Sequence, residues 1–233
     1  MLIFSPYNVG RKNQHRGEPV AIVNIEIMDN PADVRLALQA IGLTSEKVIR
    51  IAEAAAAARS EYLPDVDPVN YPGTQAHHAG VRHLRLQTLP AGWRAANFRN
   101  IEVVVNDDLG IMLAFQNVDQ ACKQAEPQAI SPKGEATRDL VSKPHAASLF
   151  SNDTPQAVQP LGNFPAIWFI CVSASIKRLE VEVSRPKPFE GDRLDGFFER
   201  IFVADKEMDA SVQAAPATAP EIEQDFDVVI SKK

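Results

Sequence analysis

The 233-residue chain is 45% apolar and 23% charged, and its 24 Lys and Arg against 30 Asp and Glu give a formal net charge of −6. This composition is typical of a globular protein, and the length allows a sizeable core. The longest strongly apolar stretch, Phe164 to Ala174, is about half of the ~20 residues that a membrane-spanning helix needs. The order of charges in MLIFSPYNVGRKNQHR is wrong for a secretory signal. Because Cys122 and Cys171 are too few for a disulfide framework, we expect buried thiols in a cytoplasmic protein.

The first part of the chain predicts one strand and three helices. Residues 20–28 are rich in β-branched residues and alternate as a strand does. A helix is predicted over 31–41, with Asn30 as N-cap. A second helix follows Thr44 or Ser45 and runs through EKVIRIAEAAAAARSEY, and a third covers about residues 74–86.

The first two helices and the short turn between them have the spacing of a DNA-binding helix-turn-helix. The second helix, however, contains five alanines, which have almost no capacity to hydrogen-bond with base edges. An alanine-rich helix suits close packing instead. We therefore favour an αα-hairpin over DNA reading, with the alanine face packed either within the fold or against a second subunit of a homo-oligomer.

The rest of the chain predicts a sheet. Five strands are expected, over residues 101–105, 110–116, 166–174, 178–184 and 197–203, with the first four forming two hairpins. In the fourth strand, apolar residues alternate with Glu180, Glu182 and Ser184, which predicts that one face is solvated. The fold class is therefore α+β, with an N-terminal helical hairpin followed by a mainly antiparallel sheet of about five strands.

These elements predict a single domain over residues 1–204, with a helical part at about 30–90 and a sheet part at about 98–204 that contains a loop over 126–164. Residues 205–233 carry seven acids against three lysines, and we expect 205–221 to be a flexible, disordered linker. Beyond it, Phe226, Val228 and Ile230 alternate in a short β-prone patch. Such a patch can add a strand to a sheet edge, either of this chain or of a protein partner.

Several runs of the sequence resemble a group of bacterial proteins carried on plasmids, prophages and other mobile elements. The resemblance covers about residues 35–204 and is carried by short motifs: YPGTQAHHAGVRHLRLQTLPAGW, IEVVVNDDLGIMLAFQNVDQAC, AISPKGEATRDLV, WFICVSASIKRLEVEVSRP and DGFFERIFV. It implies a bacterial or mobile-element origin and a role outside core metabolism. The group has no established activity, so the resemblance assigns no catalytic residue.

Motifs for catalysis and cofactors are weak. The nearest match to a phosphate-binding loop is residues 131–137, SPKGEAT, where Pro132 removes a backbone donor. His77, His78 and His83 have spacings that do not match a helical zinc pair, and no acid lies between Pro68 and Ile101. We predict no metal, no cofactor and no catalytic residue, and we leave open a distant ligand for these histidines, such as His145.

Carboxylates supply the alternative function, a metal-dependent nuclease or phosphate-ester hydrolase. Such a site would need Asp107 or Asp108 to meet Glu180, Glu182 and a basic group in one cleft. The spacing of Glu180 and Glu182 to Lys187 does not match the usual Glu-x-Lys pattern. Convergence in space would support the enzyme, whereas scattered acids would support a binding protein.

The strongest functional signal is a stretch without acids that carries four arginines. Arg82 and Arg85 share a helix face, and Arg94 and Arg99 follow, with Trp93 among them. Arginine beside aromatic residues suits phosphate contact and base stacking, so these five residues are the predicted nucleic-acid contacts. The alternative is that acids of other elements pair with the arginines. We predict a non-enzymatic accessory protein of a mobile element that contacts a protein partner and, as a second partner, nucleic acid.

Overall fold

A computed structural model describes residues 25–142 and 164–208. Within these ranges the chain forms seven strands and four α-helices: β1 (Glu26–Met28), α1 (Pro31–Ala40), α2 (Ser45–Ser60), α3 (Tyr71–Thr88), β2 (Arg94–Phe98), β3 (Ile101–Asn106), β4 (Ile111–Asn117), α4 (Glu135–Ser142), β5 (Ala166–Ala174), β6 (Arg178–Pro186) and β7 (Phe197–Glu207). The predicted α+β class is confirmed. The tail patch of Phe226, Val228 and Ile230, residues 209–221 of the predicted linker and His145 lie outside the described residues, as does most of the first predicted strand. The prediction that a flexible linker begins at residue 205 was wrong, since β7 continues to Glu207 and its last three residues pair with Arg178–Glu180 of β6.

Local capping explains why the first two helices begin where the sequence predicts. The side chain of Asn30 accepts a hydrogen bond from the Ala32 N–H at 2.9 Å, and the hydroxyl of Thr44 accepts from the Lys47 N–H at 3.3 Å. The third helix begins three residues earlier than predicted, because Pro72 is accommodated in the first turn, where a missing N–H costs nothing.

The sheet has the strand order β1-β7-β6-β5-β4-β3-β2. The two predicted hairpins are present as β3 with β4 and β5 with β6. The sheet is nevertheless mixed, since β4 pairs with β5 in parallel and β1 pairs with β7 in parallel. The prediction of about five strands in the sheet was too low. The three-residue β1, which lies within the predicted strand 20–28, joins one edge of the sheet, and β2, which was not predicted, joins the other.

Helix packing differs from the predicted hairpin. The main partner of α2 is α3, and α1 contacts β7 more than it contacts α2. The alanine face of α2 is buried inside the chain at Ala52, Ala55 and Ala56. Helix α3 lies so close to β4 that a Cβ added at Gly80 would overlap the ring of Phe115. This close approach sets the position of α3, which lines both clefts described below.

The two faces of the sheet bury two separate cores. The helical face packs α1, α2 and α3 on apolar residues such as Leu113, Trp168 and Val181. The second face, covered by α4 and neighbouring loops, also buries apolar residues but includes charged ones. The prediction of a solvated face on β6 was wrong, since Glu182 is 0% exposed and Glu180 is 8% exposed. Within the described ranges, no helix is long and apolar enough to span a membrane.

Candidate functional site

Two of the four predicted arginines are held in exposed ion pairs with acids of other elements. Arg94 makes a bidentate pair with Asp107, with Nε at 2.6 Å and Nη2 at 2.9 Å from the two carboxylate oxygens. Arg99 bridges two acids of α4, Asp139 at 2.6 Å and Glu135 at 3.1 Å. For these residues the alternative interpretation of the arginine-rich stretch is the better one.

Trp93 does not have the geometry that base stacking needs. Its side chain is only 5% exposed and lies against the loop at Gly42. A buried ring cannot offer its face to a nucleobase, so the prediction of Trp93 as a contact residue was wrong. An aromatic residue in a basic stretch is as compatible with the core as with a binding surface, and its sequence neighbours do not separate these two roles.

Arg82 and Arg85 do share a surface, which we name the α3 groove. This groove has a volume of about 680 Å³ and lies between α3 and the β2–β3 hairpin, with Leu86, Leu89 and Pro90 among its walls. Arg85 pairs with Glu102, while its Nε is buried without a partner among the described residues. Arg82 is exposed, and within the described part of the chain no carboxylate lies within 4 Å of it.

A second cleft lies where β4 ends, and we name it the strand-end cleft. Gln116 and Asn117 form its base, the first turn of α3 forms one wall, and residues 130–133 form another. Its volume is about 570 Å³, and its lining contains Lys133 and Arg59 but no Asp or Glu. Ligands in sheets with parallel strands are commonly bound at the carboxyl ends of those strands, which is where this cleft lies beside the β4–β5 pair.

Lys133 belongs to this cleft and not to a phosphate-binding loop of the predicted kind. Its ammonium donates a hydrogen bond to the side-chain oxygen of Gln116, and its backbone N–H donates to the carbonyl of Asp192 at 2.8 Å. Burial lowers the pKa of Lys133 to about 8. The start of α4 after it is engaged by the ion pair between Glu135 and Arg99.

His77 links the two clefts, because it lines both. Its ring is partly exposed and meets Phe115 edge-on, with 6.0 Å between ring centroids. Partial burial lowers the pKa of His77, the neighbouring His78 and Lys133 lower it further, and Glu102 opposes them. Among the described residues, no group of three or more His, Cys, Asp or Glu side chains could hold a metal ion, so His77, His78 and His83 do not find such a set there.

The carboxylates of the enzyme hypothesis do not converge. Asp107 and Asp108 lie in the turn before β4, whereas Glu182 lies beside Cys171, which in turn pairs with Gln116 near the other end of β4. Asp107 is engaged by Arg94. The enzyme hypothesis required these acids to meet in one cleft, and the described acids do not meet in this way.

Glu180 and Glu182 have a structural function instead, which we name the carboxylate clamp. Glu182 accepts hydrogen bonds from the Cys122 N–H at 2.7 Å, from Ser184 at 2.7 Å and from two nitrogens of Arg200. Glu180 accepts from the Ala121 N–H at 3.1 Å and pairs with Lys123 at 2.8 Å. The clamp therefore anchors the loop that leads from β4 to Lys133.

The cysteines are not activated nucleophiles. Cys171 is fully buried, as predicted, and burial raises its pKa well above the ordinary value. Cys122 is partly buried, with its sulfur 3.1 Å from the carbonyl oxygen of Val181, and burial together with the charge of Glu182 raises its pKa to about 12. A thiol of such high pKa carries almost no thiolate at neutral pH.

Sequence reasoning missed Arg59, Gln116 and His77 as members of one surface. Gln116 carried a usable signal, because it is a polar residue at the end of the apolar run GIMLAF. Arg59 lies at the last turn of α2 and lines the strand-end cleft, and nothing in its local sequence indicates that position.

Comparison of the chain with models of protein families, with curated proteins and with solved structures gives no match.

Proposed function

We propose that the protein is a non-enzymatic accessory protein of a bacterial mobile genetic element and that it binds nucleic acid along α3. The observation that carries this proposal is the charge of the two clefts, whose linings share His77. Their combined lining contains four cations, Arg59, Arg82, Arg85 and Lys133, against the single acid Glu102. In a chain of net charge −6, this concentration of positive charge favours a polyanionic ligand.

The form of the α3 groove favours a single strand. Leu86 is 55% exposed and Leu89 is 40% exposed on its wall, and both are available for contact with unstacked bases. Proteins that bind single strands combine a cationic groove with contact surfaces for the bases. Helix α3 has 18 residues and is therefore about 27 Å long, which is enough for several nucleotides.

The proposal also includes a protein partner, and this part is independent of the clefts. The predicted contact with that partner is made by Phe226, Val228 and Ile230. The alternative of a metal-dependent nuclease or phosphate-ester hydrolase has no support from the described acids, which lie apart and are engaged by other groups.

The test is a binding assay with charge reversals inside and outside the α3 surface. We expect the wild-type protein to bind a fluorescent single-stranded oligonucleotide with an affinity that falls steeply as salt rises. Arg82→Glu should weaken binding at least tenfold, whereas Arg35→Glu, an exposed arginine on α1, should leave it nearly unchanged. Equal effects of the two variants, or binding that is independent of salt, would contradict the proposal.

A further inference from the structure

We propose that the strand-end cleft is a binding site for a phosphate monoester, either the terminal phosphate of a nucleic-acid strand or the phosphate of a free nucleotide. The binding of a terminal phosphate on a nucleic-acid strand rests on the proposed function. The binding of a free nucleotide depends only on the properties of the cleft. The cleft volume of about 570 Å³ lies within the range of small-molecule sites.

Charge favours a monoester over the diester inside a strand. A monoester carries a charge of about −1.5 to −2 at neutral pH, whereas a diester carries about −1. The cleft lining supplies two cations, Lys133 and Arg59, and no acid that would oppose a dianion. Among the described residues, no carboxylate lies within 4 Å of either cation. A partly buried pair of cations without counter-charge gains most from a ligand that carries two negative charges.

Hydrogen-bond donors are available in the same cleft. Lys133 has three donors and uses one on Gln116, which leaves two for a ligand. The N–H of Gly73, in the first turn of α3, has no acceptor among the described residues. A Cβ added at Gly73 would meet nothing within 4 Å, so the approach to this backbone is open. A phosphate has three oxygen acceptors that can use these donors.

The position of the cleft explains how a terminal phosphate could be combined with binding along α3. The strand-end cleft and the α3 groove meet at His77. A nucleotide with its phosphate near Lys133 would continue past His77 towards Arg82 and Leu86. The cleft would therefore recognise the end of a strand, and the groove would hold the nucleotides that follow.

The experiment compares thymidine monophosphate with oligothymidylates of about 12 nucleotides, a length within the site sizes of single-strand binders. The oligonucleotides carry a 5′-phosphate, a 3′-phosphate or no terminal phosphate. We expect one of the two phosphorylated strands to bind about tenfold more tightly than the unphosphorylated strand. Lys133→Met should abolish this preference and the binding of the nucleotide. The control variant Lys47→Met should change neither, because Lys47 lies in the first turn of α2, at the opposite end of that helix from Arg59.

The pH profile gives a second readout. Nucleotide binding should weaken as pH rises past about 8, because Lys133 then loses its proton. Among the described residues, the other charged or titratable groups facing Lys133 are His77 from α3, Cys171 from β5, Arg59 from α2 and Arg138 from α4, which donates a hydrogen bond to the Lys133 carbonyl at 3.4 Å. His77 is neutral above pH 7 because its pKa is lowered, and Cys171 stays protonated because burial raises its pKa. Lys133→Arg should bind the nucleotide without this loss.

The outcomes separate the two proposals. If the nucleotide binds through Lys133 but no oligonucleotide binds, the monoester site stands and the proposed function fails. If oligonucleotides bind equally with and without a terminal phosphate, and the nucleotide does not bind, the monoester site is wrong and the proposed function stands. Binding of the nucleotide that Lys133→Met leaves intact would also overturn the site.

Discussion

The two faces of the sheet are stabilised by different physics. On the helical face, apolar side chains of the sheet pack against α1, α2 and α3 with close contact, as at Gly80 and Phe115. On the second face, a buried ion pair of Glu182 and Arg200 lies among the apolar residues and anchors a loop. Close apolar packing therefore holds the helices in place on one face, whereas paired charges hold the loop that carries Lys133 on the other.

The largest effect should come from breaking the buried pair on the second face. Glu182→Leu leaves the charge of Arg200, which is 0% exposed, without its partner, and we expect a loss of about 3–5 kcal/mol in the free energy of unfolding. Urea denaturation followed by circular dichroism measures this loss. The double variant Glu182→Leu with Arg200→Met should recover the part of the loss that the unpaired charge causes, while the Cys122 N–H and the Ser184 hydroxyl still lack their acceptor. A loss below about 1 kcal/mol in the single variant would contradict the importance of the pair.

A smaller effect is expected from overpacking the helical face. Gly80→Ala places a methyl group where the ring of Phe115 lies, so either α3 or this ring must shift, and the cost should be about 1–3 kcal/mol. The matched control is Gly134→Ala, because a Cβ at that position meets nothing within 4 Å. Thermal melts of the two variants make the comparison. If Gly80→Ala were no less stable than the control, α3 would not be held by shape.

The smallest effect concerns Lys133, at the border of the second face. Its pKa in the folded protein is about 8, below the ordinary value of 10.5, so below pH 8 the fold contains a charge that burial disfavours. Between pH 8 and about 10 the unfolded chain binds more protons than the folded one, and the stability contributed by this group rises with pH. Lys133→Met should therefore be more stable than the wild type at pH 7, by about 1 kcal/mol, and this advantage should shrink towards pH 10.

Melting temperatures of both proteins across this pH range test the sign. A shift of about 2–4 °C at pH 7 corresponds to 1 kcal/mol for a chain of this size. An advantage of Lys133→Met that grows with pH would mean that the ammonium is stabilised and not penalised by its surroundings.

Local sequence signals predicted most helices and strands. The features that were missed depend on contacts between residues that are far apart in the sequence. Asn30 and Thr44 cap their helices through residues two or three positions away, so their roles can be read from the chain. The strand β2 was missed because RAANF lacks β-branched residues and forms by pairing with β3. Glu182 looked solvated because its partner Arg200 is 18 residues away and its second partner, the Cys122 N–H, is 60 away.

The candidate site was only partly predictable for the same reason. Arg82 and Arg85 share a helix face, and that spacing is visible in the sequence. The strand-end cleft combines α2, α3, β4 and a loop, so Arg59, Gln116 and Lys133 become neighbours only after the chain has folded.

The carboxylate clamp also bears on how this protein can change through evolution. Glu180 and Glu182 hold Ala121 and Cys122 through backbone N–H groups, which every residue except proline possesses. Side chains further along the loop, including Ile130 and Lys133, can therefore be exchanged without loss of this anchor. Relatives that keep the two glutamates are free to diversify the wall of the cleft, and with it the choice of ligand, on an unchanged scaffold.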